Sequence, residues 1–527
     1  MISNDRTFPA ARVVALGTAT SKALGMARSI LMASFFGTSL AQSVFVLAFK
    51  VPNLFRRLFG EGALSAAFIP VFAETLETRG KEEADRLAGR MGSLLAATLA
   101  MLAGGGMLVL LAIRFGAAPG DKAALFLSLL TIMLPYLFFI CLFAFCMALL
   151  NTFRHFAMPA FSPVLLNIVW IAVLLWVCPR FGDAPEERIF GVAWGVLAAG
   201  ALQLLAQLPV LAKIGLRLPV KFTLRDRQVQ AVLRAMGPAA LGMGVFQINV
   251  LVDGFLALWV AEWAPAALDF AVILVYLPLG VFGTALGTVL LPVFSRQAVS
   301  NERDRIRHTL GHSLAGLFAV LIPAAVGLMV LARPIVQLVY EWPGRQFDSA
   351  STLQTARALL FYAPGLLVFG AYKALVPAFY AFKDTRTPVR VGMAAAGLNF
   401  VLNVFFILTW PADFRHAGLA CATVLASVAN CAVLLWLLQR GIGSLDWRAF
   451  ARTALVSCLA AALMALAAAG THASLEAWSV GGEGAALKAR QAIAVGAAIA
   501  AGALTYGGLL LVWRRKILLA NAGANKP

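Results

Sequence analysis

The sequence is short of charge, and shorter still of acid. Only 13% of its 527 residues are charged, about half the share of an ordinary soluble domain. Twenty-four Asp and Glu residues stand against 43 Lys and Arg. Cysteine and histidine are also scarce. Cys141, Cys146, Cys178, Cys421, Cys431 and Cys458 lie in or beside apolar blocks without a CxxC pair, and the 5 histidines are scattered. A disulfide framework and a metal centre therefore have no support. The run Gly104-Gly105-Gly106 lacks the lysine and Ser/Thr of a phosphate loop and reads as packing or flexibility. No nucleophile–base pair, metal cluster or cofactor loop is visible, so neither an enzyme nor a cofactor is expected. A clean apolar run near the start is missing as well. Lys22 and Arg28 interrupt it, which argues against a cleavable signal.

What the chain does have is apolar length. Apolar residues make up 61% of it and come in blocks, most of about 20 residues, enough to cross a hydrocarbon layer of about 30 Å. Hydropathy outlines fourteen spans, near 12–36, 43–74, 89–114, 123–150, 158–179, 189–212, 231–260, 268–293, 309–333, 353–381, 389–409, 416–438, 452–470 and 490–513. The expected fold is an all-α polytopic membrane protein with no separate soluble domain. The net charge of +19 sits in short loops, which is positive-inside sorting, not the continuous basic face that tracks nucleic-acid phosphates. One loop carries Lys213, Arg217, Lys221, Arg225, Arg227 and Arg234; others on that side carry Arg296 to Arg307, Lys383 to Arg390, and Arg514 to Lys516. Both termini are expected to be cytoplasmic.

A weak internal repeat runs through the chain. Phe153-Arg154 is followed by Pro159 and Asn167, and Phe382-Lys383 by Pro388 and Asn399. Ile69-Pro70-Val71-Phe72 is matched by Leu291-Pro292-Val293-Phe294. The offsets suggest two related six-helix lobes, 1–220 and 221–440, with two additional helices and a tail over 441–527. Paired repeats suit alternating-access transport, although similar apolar helices can also match by chance.

The chemistry-bearing residues are charges inside these spans. Span 1 contains Lys22 and Arg28; span 2 contains Lys50, Arg56, Arg57 and Glu61. Each costs roughly 2.5–3.5 kcal/mol at a helix centre, so a wet cavity, a partner or a substrate is expected beside it. Glu61 stands four residues after Arg57 and can pair with it. That leaves Lys22, Arg28 and Arg56 without an obvious local acid, an arrangement that invites an anion, and arginine binds phosphate oxygens bidentately. Lys50, Arg56 and Arg57 can instead snorkel to headgroups from a broken helix. Lys22 and Arg28 are about 120° apart around an ideal helix, and Gly25 offers a place to bend. Pro52, Gly60 and Gly62 break span 2, beside Asn53. Gln247, Asn249 and Asp253 stand together in span 7; a lone intramembrane aspartate fits a cation site, a proton site, an arginine partner or an interhelical hydrogen bond. The run Pro278, Gly280, Gly283, Gly287 reads first as close helix packing.

The stretch Ser21-Lys22-Ala23-Leu24-Gly25-Met26-Ala27-Arg28, followed by Ala48 to Ala63 (AFKVPNLFRRLFGEGA), resembles the MurJ (MviN) lipid II flippases of the multidrug/oligosaccharidyl-lipid/polysaccharide exporter superfamily. The likeness continues through Pro159, Gln247, Asp253, Gly283 to Pro292 and Pro388, and covers essentially the whole chain. It implies a two-lobed, V-shaped helical fold with a cationic cavity in the bacterial inner membrane. It also implies export of undecaprenyl-pyrophosphate-linked muropeptide to the periplasmic leaflet, for peptidoglycan synthesis. The family's basic cavity positions fall on Lys22, Arg28 and Arg56, with Gly25, Pro52, Asn53, Arg57, Glu61, Asn249 and Asp253 in support. Coupling to an ion gradient or to the membrane potential is expected, and no nucleic-acid partner. Three departures stand out. Ser29 and Ser43 replace frequent acids, and Ile273, with Val272 beside it, stands where the family carries an arginine. Three other readings remain open: a flippase for another polyprenyl-pyrophosphate glycan, a cation-coupled drug antiporter, and a non-transporting scaffold of cell-wall assembly.

Overall fold

The computed structural model describes the backbone of residues 7–58, 63–116, 119–153, 155, 157–223, 225–480 and 484–524. All regular elements among them are helices, and the chain divides into two compact units, Met1–Ala266 and Ala267–Pro527. The first holds α1 (Thr7–Phe36), α2 (Leu40–Phe55), α3 (Ala63–Thr78), α4 (Lys81–Gly116), α5 (Asp121–Met133), α6 (Tyr136–Thr152), α7 (Ala157–Ala172), α8 (Pro185–Lys213) and α9 (Arg227–Val260). The second holds α10 (Ala264–Val299), which starts at the boundary, and α11 (Arg303–Val330), α12 (Ala332–Tyr340), α13 (Ser349–Tyr362), α14 (Gly365–Ala381), α15 (Arg386–Thr409), α16 (Arg415–Ile442), α17 (Trp447–Ser479) and α18 (Gly484–Ala524).

Eight helices among the described residues are long and apolar enough to cross a membrane, and ten if each of two bent pairs counts as one. Their outer faces carry exposed Leu108, Phe115, Leu466 and Leu504, as hydrocarbon permits while the helix satisfies its own backbone. The multi-pass helical expectation therefore holds, and the fourteen hydropathy spans are compatible with these helices. Two details differ from the hydropathy outline. The span at 43–74 is two helices, α2 and α3, because Pro52 has no N–H to give and Arg56 to Leu58 follow in a wider turn. The short α12 was not outlined, since its 9 residues are too few to cross a membrane and its buried residues, Ala332, Val336 and Tyr340, recur only one turn apart.

Proline also bends two spans. α5 and α6 meet at 40° at Pro135, and α13 and α14 at 46° at Pro364. The two prolines are 229 positions apart, within the offset of the repeat read from the sequence. Helix ends follow ordinary capping. Gly37, with φ of +56°, closes α1, and its N–H donates to the Ala33 carbonyl at 2.8 Å. The hydroxyl of Ser39 then accepts from the Gln42 N–H at 3.3 Å and opens α2.

In the first unit α1 lies on α7. A Cβ added at Gly17 would stand 2.8 Å from the Ala160 carbonyl oxygen, so no larger residue fits there. In the second unit, Phe294, Leu310, Leu375 and Leu434 form a core shared by α10, α11, α14 and α16. The last two helices close on α11 through Ile322, Met464 and Tyr506, whose hydroxyl donates to the Ala319 carbonyl at 2.5 Å.

Candidate functional site

The first unit presents its basic residues from α1 and α2. α1 is helical without interruption through Gly25, at which a Cβ would meet only the Asn167 amide nitrogen at 3.8 Å. Asn167 fixes that level of the helix by donating to the Ser21 carbonyl at 3.0 Å, next to exposed Lys22. One turn and a half further on, half-buried Arg28 lies over the ring of Trp170, with 4.5 Å between guanidinium carbon and ring centroid. Such a stack is worth roughly 0.5–2 kcal/mol. The N–H donors of a guanidinium lie in its plane, and it is in that plane that phosphate oxygens are bound. Trp170 itself is 4% exposed, donates from Nε1 to Met32 Sδ at 3.4 Å, and meets Phe45 and Phe49 edge-on at 5.7 and 5.3 Å. One indole therefore ties Arg28 of α1 to the apolar face of α2.

Arg56 takes its position from the end of α2. Its Nε donates to Asn53 Oδ1 at 3.0 Å, and its backbone N–H reaches the carbonyls of Pro52 and Asn53. The buried Pro52 breaks the ladder and Asn53 orients the guanidinium one turn later. These neighbours thus have distinct jobs. Arg57 donates to Gln247 Oε1 on α9 at 3.2 Å; Glu61, its expected partner, lies outside the described residues. Lys50 also points to α9. A Cβ on Gly254 would lie 3.5 Å from its ammonium, one residue from half-buried Asp253; Asn249 is half-buried one turn earlier. The two serines in place of acids are both used locally. Ser29 donates to the Gly25 carbonyl at 2.9 Å, and the fully buried Ser43 hydroxyl accepts from the Ala266 N–H at 3.3 Å.

In the second unit, Ile273 is half-buried on α10. The unit has an embedded cation elsewhere, which sequence reasoning passed over. Lys373 is half-buried in the middle of α14, and a Cβ on Gly287 of α10 would stand 3.4 Å from its carbonyl oxygen and 3.9 Å from its Cβ. The signal was a single lysine inside the apolar run 365–381. Trp170 was missed too, since nothing in its local sequence marks it as the ring under Arg28. Among the described residues, no group of three or more His, Cys, Asp or Glu stands ready to hold a metal ion.

Comparison with known proteins adds to this geometry. A family model described as lipid II flippase MurJ matches residues 32–486. A probable lipid II flippase MurJ of Vibrio cholerae serotype O1 is 35% identical over 446 residues, covering 82% of each chain. The lipid II flippase MurJ of Burkholderia cenocepacia is 33% identical over 447 residues, covering 82% of this chain and 84% of its own. Among solved structures, a lipid II flippase MurJ in an inward closed conformation is similar with a TM-score of 0.75 and 24% identity, covering 96% of this chain and 99% of its own. An inward-facing multidrug resistance MATE family transporter is similar with a TM-score of 0.68 and 13% identity, covering 82% of this chain and 96% of its own. These two structural matches speak for the fold alone.

Proposed function

We propose a function from one premise: the chain belongs to the lipid II flippase MurJ family. Its work is to move lipid II from the cytoplasmic to the periplasmic leaflet of a bacterial inner membrane, for peptidoglycan synthesis. One observation carries this reading beyond the family name. In a chain with little charge, α1 and the end of α2 carry Lys22, Arg28 and Arg56 among apolar residues, with Arg28 over Trp170 and Arg56 bonded to Asn53. Fixed guanidiniums lose less rotamer freedom on binding than mobile ones. A pyrophosphate supplies the paired oxygens that two such forks recognise, and Lys22 adds a third, less directional positive charge. Arg57, Asn249, Asp253 and Glu61 support the site, as Gly25 and Pro52 shape its helices. The polyprenyl tail stays in the bilayer, whose apolar contact it never has to leave.

In the second unit Ile273 stands where the family pattern has an arginine, and Lys373 is half-buried on α14. The lobes 1–220 and 221–440, with 441–527 added, would alternate access to the site. Both termini lie in the cytoplasm, and the membrane potential helps return the empty, positively charged site to the cytoplasmic side. No covalent bond changes in this cycle, so the protein is a transporter and not an enzyme. The test is rescue of a cell depleted of its own lipid II flippase. Arg28→Ala should insert normally yet fail to rescue; normal rescue would remove the basis of the assignment.

A further inference from the structure

The segment joining α8 to α9 is not a slack loop. Gly215, with φ of +73°, turns the chain out of α8, and Lys81 Nζ donates to the Ile214 carbonyl at 3.0 Å. Residues 216–223 then run without helix along the first turns of α4. The Arg217 N–H donates to Asp85 Oδ2 at 3.2 Å, and the Lys221 N–H to Ser93 Oγ at 3.2 Å. Between them Pro219 lies on Gly89, where an added Cβ would fall against the proline carbonyl and 2.6 Å from its Cδ. Asp85, Gly89 and Ser93 are each four residues apart, one stripe of α4. The strap ends at Asp226, which caps α9 by accepting from the Gln228 N–H at 2.8 Å and forms an ion pair with Arg90 of α4.

With its backbone held on α4, the strap turns outward an unusual mixture. Val220 is 75% and Phe222 68% exposed. They alternate with exposed Arg217, Lys221 and Arg225, and no acid occurs from Lys213 through Arg225. An ordinary aqueous loop has no use for an exposed phenyl ring held still. Apolar side chains alternating with cations suit the boundary between headgroups and acyl chains, where the rings enter the lipid and the cations meet phosphate. The place fits as well. The strap follows directly on the span of α8 and runs beside the polar start of α4, on the side that the Lys and Arg excess assigns to the cytoplasm.

We propose that residues 216–223, with Arg225 and Asp226, are a membrane-surface anchor, a strap whose Val220 and Phe222 enter the cytoplasmic leaflet and whose Arg217, Lys221 and Arg225 bind anionic lipid headgroups. The anchor holds the connection between α8 and α9 at a fixed depth. It thereby sets where α9, the helix that receives Arg57, begins. This inference stands apart from the identity of the transported lipid.

Hydrogen exchange of the full chain tests it, in nanodiscs of phosphatidylcholine alone and with phosphatidylglycerol added. Amides of the strap should gain protection with the anionic lipid, while those of α8 stay unchanged and report an intact fold. Arg217→Gln, Lys221→Gln and Arg225→Gln should each weaken that gain about fivefold. Val220→Ser with Phe222→Ser should lower protection in both lipids. Equal exchange in neutral and anionic nanodiscs overturns the proposal. So does equal protection by inorganic phosphate in detergent, which would make the strap a site for soluble phosphate.

Discussion

In the first unit, embedded cations sit at places where the chain provides for them: Arg28 over an indole, Arg56 on the asparagine one turn back, and Arg57 on a glutamine of α9. In the second, α10 carries Ile273, and the most buried cation among the described residues is Lys488 of α18, 7% exposed, whose ammonium donates to the Gln337 carbonyl at 2.8 Å and lies 5.5 Å from the ring of Trp342. Arginine and lysine differ in what they can do. A guanidinium held by a ring or an amide presents donors in a fixed plane, while an ammonium on a flexible stem supplies charge with little direction. The difference fits the reading proposed above, in which guanidiniums of the first unit meet an oxyanion.

That contrast can be broken at several points. Arg28→Ala should abolish rescue of flippase-depleted cells, and Arg28→Lys should restore part of it, because charge over Trp170 returns without the fork. Asn53→Ala frees Arg56 from its bond. A hydrogen bond to a charged group is worth about 1.5–3 kcal/mol, so affinity for a pyrophosphate-linked lipid should fall about tenfold to a hundredfold. Titration of the purified protein with such a lipid measures it. Trp170→Phe keeps a ring but a poorer cation partner, so binding should drop only a few fold.

The smallest effect concerns Asp384, in the turn between α14 and α15. Slight burial works against its ionisation, but the Thr387 side chain and the N–H groups of Thr387 and Arg386, with the charge of Arg390, hold its carboxyl below the ordinary 3.8. A depressed carboxylate stabilises the fold above its unfolded value and loses that contribution as pH falls through the folded one. Thermal stability should therefore show no Asp384-dependent change from neutral pH down to the usual carboxylate range. Asp384→Asn should cost less than about 1 kcal/mol at neutral pH.

Much of this was legible in the sequence, for physical reasons. Long apolar blocks leave a chain few choices besides membrane helices, and their lengths outlined most of the helices observed. Charges inside such blocks stand out because they are costly, which made Lys22, Arg28 and Arg56 visible before any coordinates. Partners were harder. The bond from Arg57 to Gln247 crosses 190 positions and depends on α2 and α9 packing together, which no local pattern announces. Trp170 is likewise an unremarkable apolar residue until α7 lies on α1. Asn53 was picked out from the family motif, but its role as the acceptor for Arg56 follows from helix geometry after Pro52. Lys373 was visible as a lone lysine in an apolar run and was overlooked.

The central claim is that cations of α1 and α2 hold the pyrophosphate of a lipid-linked precursor. The most direct measurement compares binding of purified wild-type protein and the triple variant Lys22→Gln, Arg28→Gln, Arg56→Gln to lipid II and to undecaprenol, which has the tail without the pyrophosphate. The wild type should prefer lipid II strongly, and the variant should bind both lipids alike and weakly. A variant that keeps the wild-type preference for lipid II would contradict the account.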